Sequence, residues 1–136
     1  MEDNNHKEGF LVIGVSYKKT ETETRGLYSI CIDTQKKLIN QLQNLGGDNI
    51  LVISTCNRTE VYCEGLLADQ LIVALSDVSV GPVDTLREIV FVKREKSAIK
   101  HLLSVGCGLD SQIIGDFEII GQVKKAFSLS IECCSS

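Results

Sequence analysis

The residues best equipped for chemistry are crowded into one stretch, Ser54-Thr55-Cys56-Asn57-Arg58-Thr59-Glu60-Val61-Tyr62-Cys63. Residues 50–53, Ile-Leu-Val-Ile, form an unbroken apolar and β-branched run that reads as a strand buried on both faces. The run stops abruptly at polar and thiol residues, and an alternating strand resumes at Thr59 with Val61 and Cys63 on one side. This places Cys56 at a strand end among hydroxyl, amide and guanidinium groups. A guanidinium two residues away favours a thiolate, which is the nucleophile of thiol chemistry. An unpaired cysteine is as often a small buried filler, and these residues alone leave both readings open. His101 is the other titratable candidate. It is offset from the stripe Ile99, Leu102 and Leu103 of a helix expected over residues 96–105, which by position alone marks a surface or hydrogen-bonded histidine.

The rest of the chain must hold these groups in place. With 136 residues, 43% of them hydrophobic and 24% charged, it is long enough for one domain with its own core. Residues 1–8 are polar, with no apolar leader, and no run reaches the length of a membrane span, so the expected location is cytoplasmic with no membrane partner. Six cysteines, at positions 31, 56, 63, 107, 133 and 134, contain no C-x-x-C pair and should be free thiols in a reducing compartment. Cys56, Cys63 and His101 match no common zinc spacing, and no metal is expected. The net charge of −4 argues against a general nucleic-acid binder. Lys18-Lys19, Lys36-Lys37, Lys93-Arg94 with Lys96, and Lys124-Lys125 read as solvated faces.

In chain order, residues 10–17 are a strand and residues 18–24 a polar connection. Leu27, Ile30, Cys31, Leu38, Ile39, Leu42 and Leu45 recur at helical spacing until Gly46-Gly47. After the paired strands, residues 66–75 form a second helix, Gly81-Pro82 breaks the chain, and residues 88–94 give a fourth strand. Strand, helix, strand, strand, helix, strand is the split βαβ order of an α+β ferredoxin-like sandwich with an antiparallel sheet, and further helices follow toward the C-terminus. Beyond Gly106, Asp116 reads as an N-cap with Glu118 in the first turn, and Ile119, Ile120, Val123, Ala126 and Phe127 form one face of a helix. Gly106, Gly108 and Gly115 are too far apart for a phosphate-binding fingerprint, and no strand leads into them.

Ser54-Thr55-Cys56-Asn57-Arg58-Thr59-Glu60-Val61-Tyr62, with Gly108-Leu109-Asp110-Ser111 and Gly121-Gln122-Val123-Lys124-Lys125-Ala126, resembles the N-terminal catalytic domain of the glutamyl-tRNA reductases. A shorter match covers residues 14–20, where Tyr17 stands in place of the family's usual histidine. The resemblance implies a ferredoxin-like domain over residues 10–127, preceded by a disordered polar N-terminus at 1–9 and followed at 128–136 by the start of a truncated connecting helix. It implies that Cys56 attacks the ester of glutamyl-tRNA(Glu), leaving a thioester that NADPH reduces to glutamate-1-semialdehyde at the head of tetrapyrrole synthesis. His101 falls where the family has a histidine important for activity, so Cys56 and His101 are the implied catalytic pair. The implied substrate contacts are Thr55, Cys56, Asn57, Arg58, Ser111, Asp116, Phe117, Glu118 and Gln122. Gly115-Asp116-Phe117-Glu118 replaces the family's Gly-Glu-Pro-Gln, which keeps an acid and loses the proline's fixed φ. NADPH would be held by a further domain and homodimerisation would use a helical one; glutamate-1-semialdehyde aminomutase is an expected partner.

Two other readings keep the same fold. One is a non-catalytic regulatory or RNA-binding relative. The other is a thiol redox sensor in which Cys63 resolves an oxidised Cys56.

Overall fold

A computed structural model describes residues 9–16 and 22–106 of the chain. Its elements run β1 (Phe10–Ser16), α1 (Thr22–Gly26), α2 (Ile32–Asn44), β2 (Asp48–Ser54), β3 (Arg58–Glu64), α3 (Ala68–Val78), α4 (Val83–Ile89), β4 (Phe91–Arg94) and α5 (Lys96–Gly106). The strands form one sheet in the order β2-β3-β1-β4, and every neighbouring pair is antiparallel. This is the α+β split βαβ sandwich that the element order predicts, because each central strand sits between two strands that run against it.

Alternation along the strands assigns the two faces. Leu11, Ile13 and Val15 of β1, Ile50 and Val52 of β2, and Val61 and Cys63 of β3 pack with α2 and α3 in the larger core. Val12, Leu51, Ile53 and Tyr62 pack beneath α5 with Ala98 and Val105. Residues 50–53 are therefore buried on both faces, as their unbroken apolar run predicts. The glycine pair ends α2 as expected: Gly46 takes a φ of 102°, its N–H bonds the Gln43 carbonyl, and the Gly47 N–H reaches back to Leu42. That is the Schellman closure, which requires a residue at ease in the left-handed region.

Three readings are corrected. The connection after β1 contains the short helix α1, and α2 starts at Ile32, so Leu27 and Ile30 pack from outside it. The fourth strand is shorter than expected because residues 83–89 coil into α4 after Pro82. Val83, Leu86 and Ile89 carry that helical spacing, which the β-branched run of residues 89–92 disguises. Finally, α5 is rotated: Ala98, His101 and Val105 are buried, whereas Ile99 is 49% and Leu103 63% exposed. His101 thus lies on the buried stripe of its helix.

Candidate functional site

The connection between β2 and β3 is a tight hairpin turn closed partly by a side chain. The Thr55 N–H donates to the Arg58 carbonyl at 2.8 Å, while the Thr55 hydroxyl oxygen accepts the N–H groups of Asn57 at 3.1 Å and Arg58 at 3.2 Å. Serine and threonine hydroxyls stabilise turns in this way by standing in for a backbone acceptor. Cys56 and Asn57 form the tip, and the Cys56 side chain is exposed. The base of the hairpin is braced from the α2 side, where Ser54 Oγ accepts the Ile30 N–H at 3.1 Å and shares a 3.2 Å hydrogen bond with Thr59 Oγ1. The nucleophile expected at Cys56 therefore stands on a rigid support and faces solvent.

On the α5 side, the even-numbered residues of β3 build a buried polar group. Glu60 is 0% exposed and Arg58 1%, and Arg58 Nη1 lies 3.1 Å from Glu60 Oε2. His101 Nε2 is 2.7 Å from the same oxygen, and the Tyr62 hydroxyl donates to Glu60 Oε1 at 2.7 Å. One carboxylate thus joins a guanidinium, an imidazole and a phenol. Burial of a carboxylate is tolerable only when it is paired and hydrogen-bonded, and Glu60 meets both conditions. The short contact to Glu60 engages Nε2, which leaves Nδ1 as the ring nitrogen available for other chemistry. The Phe91 ring holds His101 from the side, edge-on at 5.1 Å between centroids. Gly14 makes this assembly possible: a Cβ there would lie 2.7 Å from Phe91 Cζ and 3.0 Å from Glu60 Cγ.

The structure brings Arg58 and His101 together through Glu60, and it places Thr55, Cys56 and Asn57 on the adjoining turn. Arg58 was expected to serve the Cys56 thiol directly; its guanidinium is instead turned into the sheet face, paired with Glu60. Ser111, Asp116, Phe117, Glu118 and Gln122 lie outside the described residues. Glu60 and Tyr62 escaped the site prediction, although their alternation with Arg58 at two-residue spacing put all three on one face. Cys63 is on the other face, 0% exposed, and burial pushes its thiol up to about 12. A buried protonated thiol on the far side of the sheet does not suit the resolving role in a redox pair. Among the described residues no group of His, Cys, Asp or Glu is arranged to hold a metal, and no helix is long and apolar enough to cross a membrane.

Fold and site together define an α+β domain that presents an exposed cysteine on a hairpin above a buried Arg-Glu-His group. The family model described as "Glutamyl-tRNAGlu reductase, N-terminal domain" matches residues 13–136, and the chain belongs to that family. The chain is 46% identical over 129 residues to a glutamyl-tRNA reductase of Christiangramia forsetii, covering 93% of this chain and 31% of that protein. It is 45% identical over 121 residues to one of Flavobacterium psychrophilum, covering 89% of this chain and 29% of the relative. The solved glutamyl-tRNA reductase from Methanopyrus kandleri superposes with a TM-score of 0.71 at 27% identity, covering 93% of this chain and 29% of that one. The chain thus spans less than a third of the length of these relatives.

Proposed function

We propose that this domain performs the acyl-transfer half of a glutamyl-tRNA reductase reaction, with Cys56 as the nucleophile. Family membership supports the reading, and the observation that carries it is the exposed Cys56 on its braced turn beside the buried Arg58-Glu60-His101 group. The Cys56 thiolate adds to the ester carbonyl carbon of glutamyl-tRNA(Glu). The C–S bond forms, the C–O bond to the terminal ribose breaks, and the departing oxygen takes up a proton. His101, fixed through Nε2, is suited to deliver that proton from Nδ1, and Glu60 stabilises the imidazolium while the proton is held. A thioester accepts hydride more readily than the ester it replaces, so the cysteine prepares the acyl group for reduction.

Arg58 is assigned to the side-chain carboxylate of the glutamyl group, which a guanidinium can grip with two parallel hydrogen bonds. At 1% exposure it meets that carboxylate only when neighbouring groups move aside, so substrate binding and local opening are coupled in this reading. Glu60 positions both Arg58 and His101 and is a positioning residue. Ser111, Asp116, Phe117, Glu118 and Gln122 complete the proposed substrate pocket.

Reduction calls for NADPH, and the described residues do not fit a dinucleotide: the sheet is wholly antiparallel, and no strand runs through a glycine-rich loop into a helix. The cofactor is assigned to a separate part of the whole protein, as are homodimerisation and any contact with glutamate-1-semialdehyde aminomutase. In that protein the product would be glutamate-1-semialdehyde, at the head of tetrapyrrole synthesis, in the cytoplasm.

Single-turnover incubation with glutamyl-tRNA, followed by intact-mass analysis, tests the acyl transfer. One glutamyl adduct should appear on the chain and vanish in Cys56→Ser. An adduct that persists in that variant, or no adduct on the unaltered chain, would overturn the assignment; the second outcome would favour the non-catalytic relative.

A further inference from the structure

Two buried tyrosines make equally short hydrogen bonds to very different partners. Tyr28 and Tyr62 are both 0% exposed. The Tyr28 hydroxyl donates to the Pro82 carbonyl at 2.7 Å, where it ties the connection before α2 to the start of α4. A buried phenol needs some partner, and a backbone carbonyl meets that need. The Tyr62 hydroxyl donates at the same 2.7 Å to Glu60 Oε1, a carboxylate oxygen inside the candidate site.

The two oxygens of Glu60 carry different contacts. Oε2 lies 3.1 Å from Arg58 Nη1 and 2.7 Å from His101 Nε2, and Oε1 takes the phenol. The terminal torsion of a glutamate is broad, so contacts at one oxygen alone leave the carboxylate plane free to turn about the Cγ–Cδ bond. A donor at the second oxygen removes that freedom. Tyr62 can serve because its own ring is fixed. It packs with Val12, Leu51 and Ile53 in the smaller core and stacks on Phe10, with 6.0 Å between centroids and 21° between planes. Two-residue spacing on β3 sets the phenol beside Glu60 on one face of the sheet.

We propose that Tyr62 is a positioning residue for the acyl-transfer step: its phenol locks the plane of the Glu60 carboxylate, and that plane, through Oε2, sets the orientation of the His101 ring. This rests on the acyl-transfer reading above, in which His101 delivers a proton from Nδ1 to the departing ribose oxygen. Nε2 is held by Glu60, so a turn of the carboxylate swings the far edge of the ring and moves Nδ1. The Phe91 ring meets His101 edge-on and offers it no such anchor. Where an imidazole works at a metal, removing the group that orients it from behind costs about 10–100-fold in affinity or activity. The same logic applies to a histidine aimed at a leaving group.

The test compares Tyr62→Phe with Tyr28→Phe in the full chain, two variants that keep a buried ring and delete one phenolic hydrogen bond each. Single-turnover acylation by glutamyl-tRNA gives the rate. Imidazole NMR reports on the ring directly, because His6 and His101 are the two histidines of the chain. Tyr62→Phe should lower the maximal acylation rate by roughly 10-fold at an unchanged half-saturating concentration, because Arg58 keeps its charge and fork. Its His101 ring signals should shift, with those of His6 as the internal reference. Tyr28→Phe should match the unaltered chain in rate and in ring signals. If Tyr62→Phe does not fold, 4-aminophenylalanine in place of Tyr62, a weaker donor from the same ring position, should show the same two changes to a smaller degree.

A rate and His101 signals that both match the unaltered chain would overturn the assignment, and so would a change in one without the other. Equal effects from Tyr28→Phe would overturn it too, since the loss of any buried phenol bond would then suffice. If glutamyl-tRNA does not acylate the unaltered chain, it is the functional reading that fails, and the ring signals alone decide whether Tyr62 orients His101. A His101 shift in Tyr62→Phe that Tyr28→Phe lacks supports it, and unmoved signals overturn it.

Discussion

Strand β3 belongs to two different environments at once. Its odd-numbered residues Thr59, Val61 and Cys63 face α2 and α3, where apolar packing is continuous from Leu11 to Leu86. Its even-numbered residues Arg58, Glu60 and Tyr62 face α5, where the apolar cluster is small and part of the interior is filled by charge. A register slip of one residue would exchange the two sets and bury Arg58 and Glu60 against the larger core. The polar face therefore helps to specify pairing while it stores chemistry. One side of the sheet supplies stability, and the other places part of that stability in groups that must also act.

Glu60→Ala should give the largest effect, because it removes the one buried carboxylate that Arg58, His101 and Tyr62 share. Removing one partner of a buried ion pair costs about 3–5 kcal/mol. Leu38→Ala, on the other face, should cost about 2–5 kcal/mol through its cavity. The two differ in what accompanies the loss. Thermal melts and acylation measured below each transition should show Leu38→Ala acylating normally and Glu60→Ala failing. Equal acylation by both would dissolve the functional distinction between the faces.

Within the polar face, His101→Asn should lower the acylation rate by roughly 10²–10⁴-fold, the scale of a lost general acid or base, and leave discrimination between glutamyl and glutaminyl esters intact. Arg58→Lys keeps a charge near Glu60 but loses the planar fork, and should reduce that discrimination by about 1–3 kcal/mol. Single-turnover rates with both esters separate the roles. An Asn variant that kept its rate and lost selectivity would reverse them.

Much of this arrangement was legible in the chain. The run Ile50-Leu51-Val52-Ile53 announces a doubly buried strand, Gly46-Gly47 a helix end, and the element order the sheet topology. Cys56 stood out because it interrupts that run among polar neighbours. Glu60 did not, because a glutamate in an alternating strand looks like a solvent-facing residue; its burial is a tertiary effect, with His101 of α5 reaching its carboxylate. The same tertiary contact explains the error at His101. A leucine and an isoleucine at helical spacing suggested a core stripe, but the space beneath α5 accepts Ala98 and Val105 and leaves Ile99 and Leu103 outside. Patterns within one element report its type well. They report its rotation poorly when a buried charge on another element is what it must cover.

The large core makes its own prediction through Cys63. Burial raises its pKa from 9.0 to about 12, so the folded chain holds the proton over a range in which the unfolded chain has released it. This contribution to stability is complete below pH 9.0 and is lost as the pH rises toward about 12. Cys63→Ala should flatten that alkaline decline at the expense of some packing, as chemical denaturation across the range would show. Alkylation gives the complementary reading. Exposed Cys31, its pKa lowered by the hydrogen bond from the Thr34 hydroxyl, and exposed Cys56 should both react in the native chain, while Cys63 should wait for unfolding. Early modification of Cys63 would mean that the larger core opens more readily than its packing implies.

The smallest effect belongs to a charge pair outside both cores. Arg87 Nε lies 2.9 Å from Asp69 Oδ1, with Nη2 3.2 Å from Oδ2, and this two-point contact ties α4 to α3. The hydrogen bond from Arg87 holds the Asp69 carboxyl below its ordinary value, so the pair's contribution is present above the unfolded carboxylate range and is lost as the pH falls through the folded value. Unlike the Arg58 pair, its members are open to water, their side chains being 44% and 60% exposed, and screening leaves such pairs with little net effect. Asp69→Asn should therefore shift the melting temperature far less than Glu60→Ala, and the shift should vanish in high salt. If salt left it undiminished, the α3–α4 contact would be working through packing of the arginine stem against α3, and the contrast between buried and exposed ion pairs in this fold would need a different explanation.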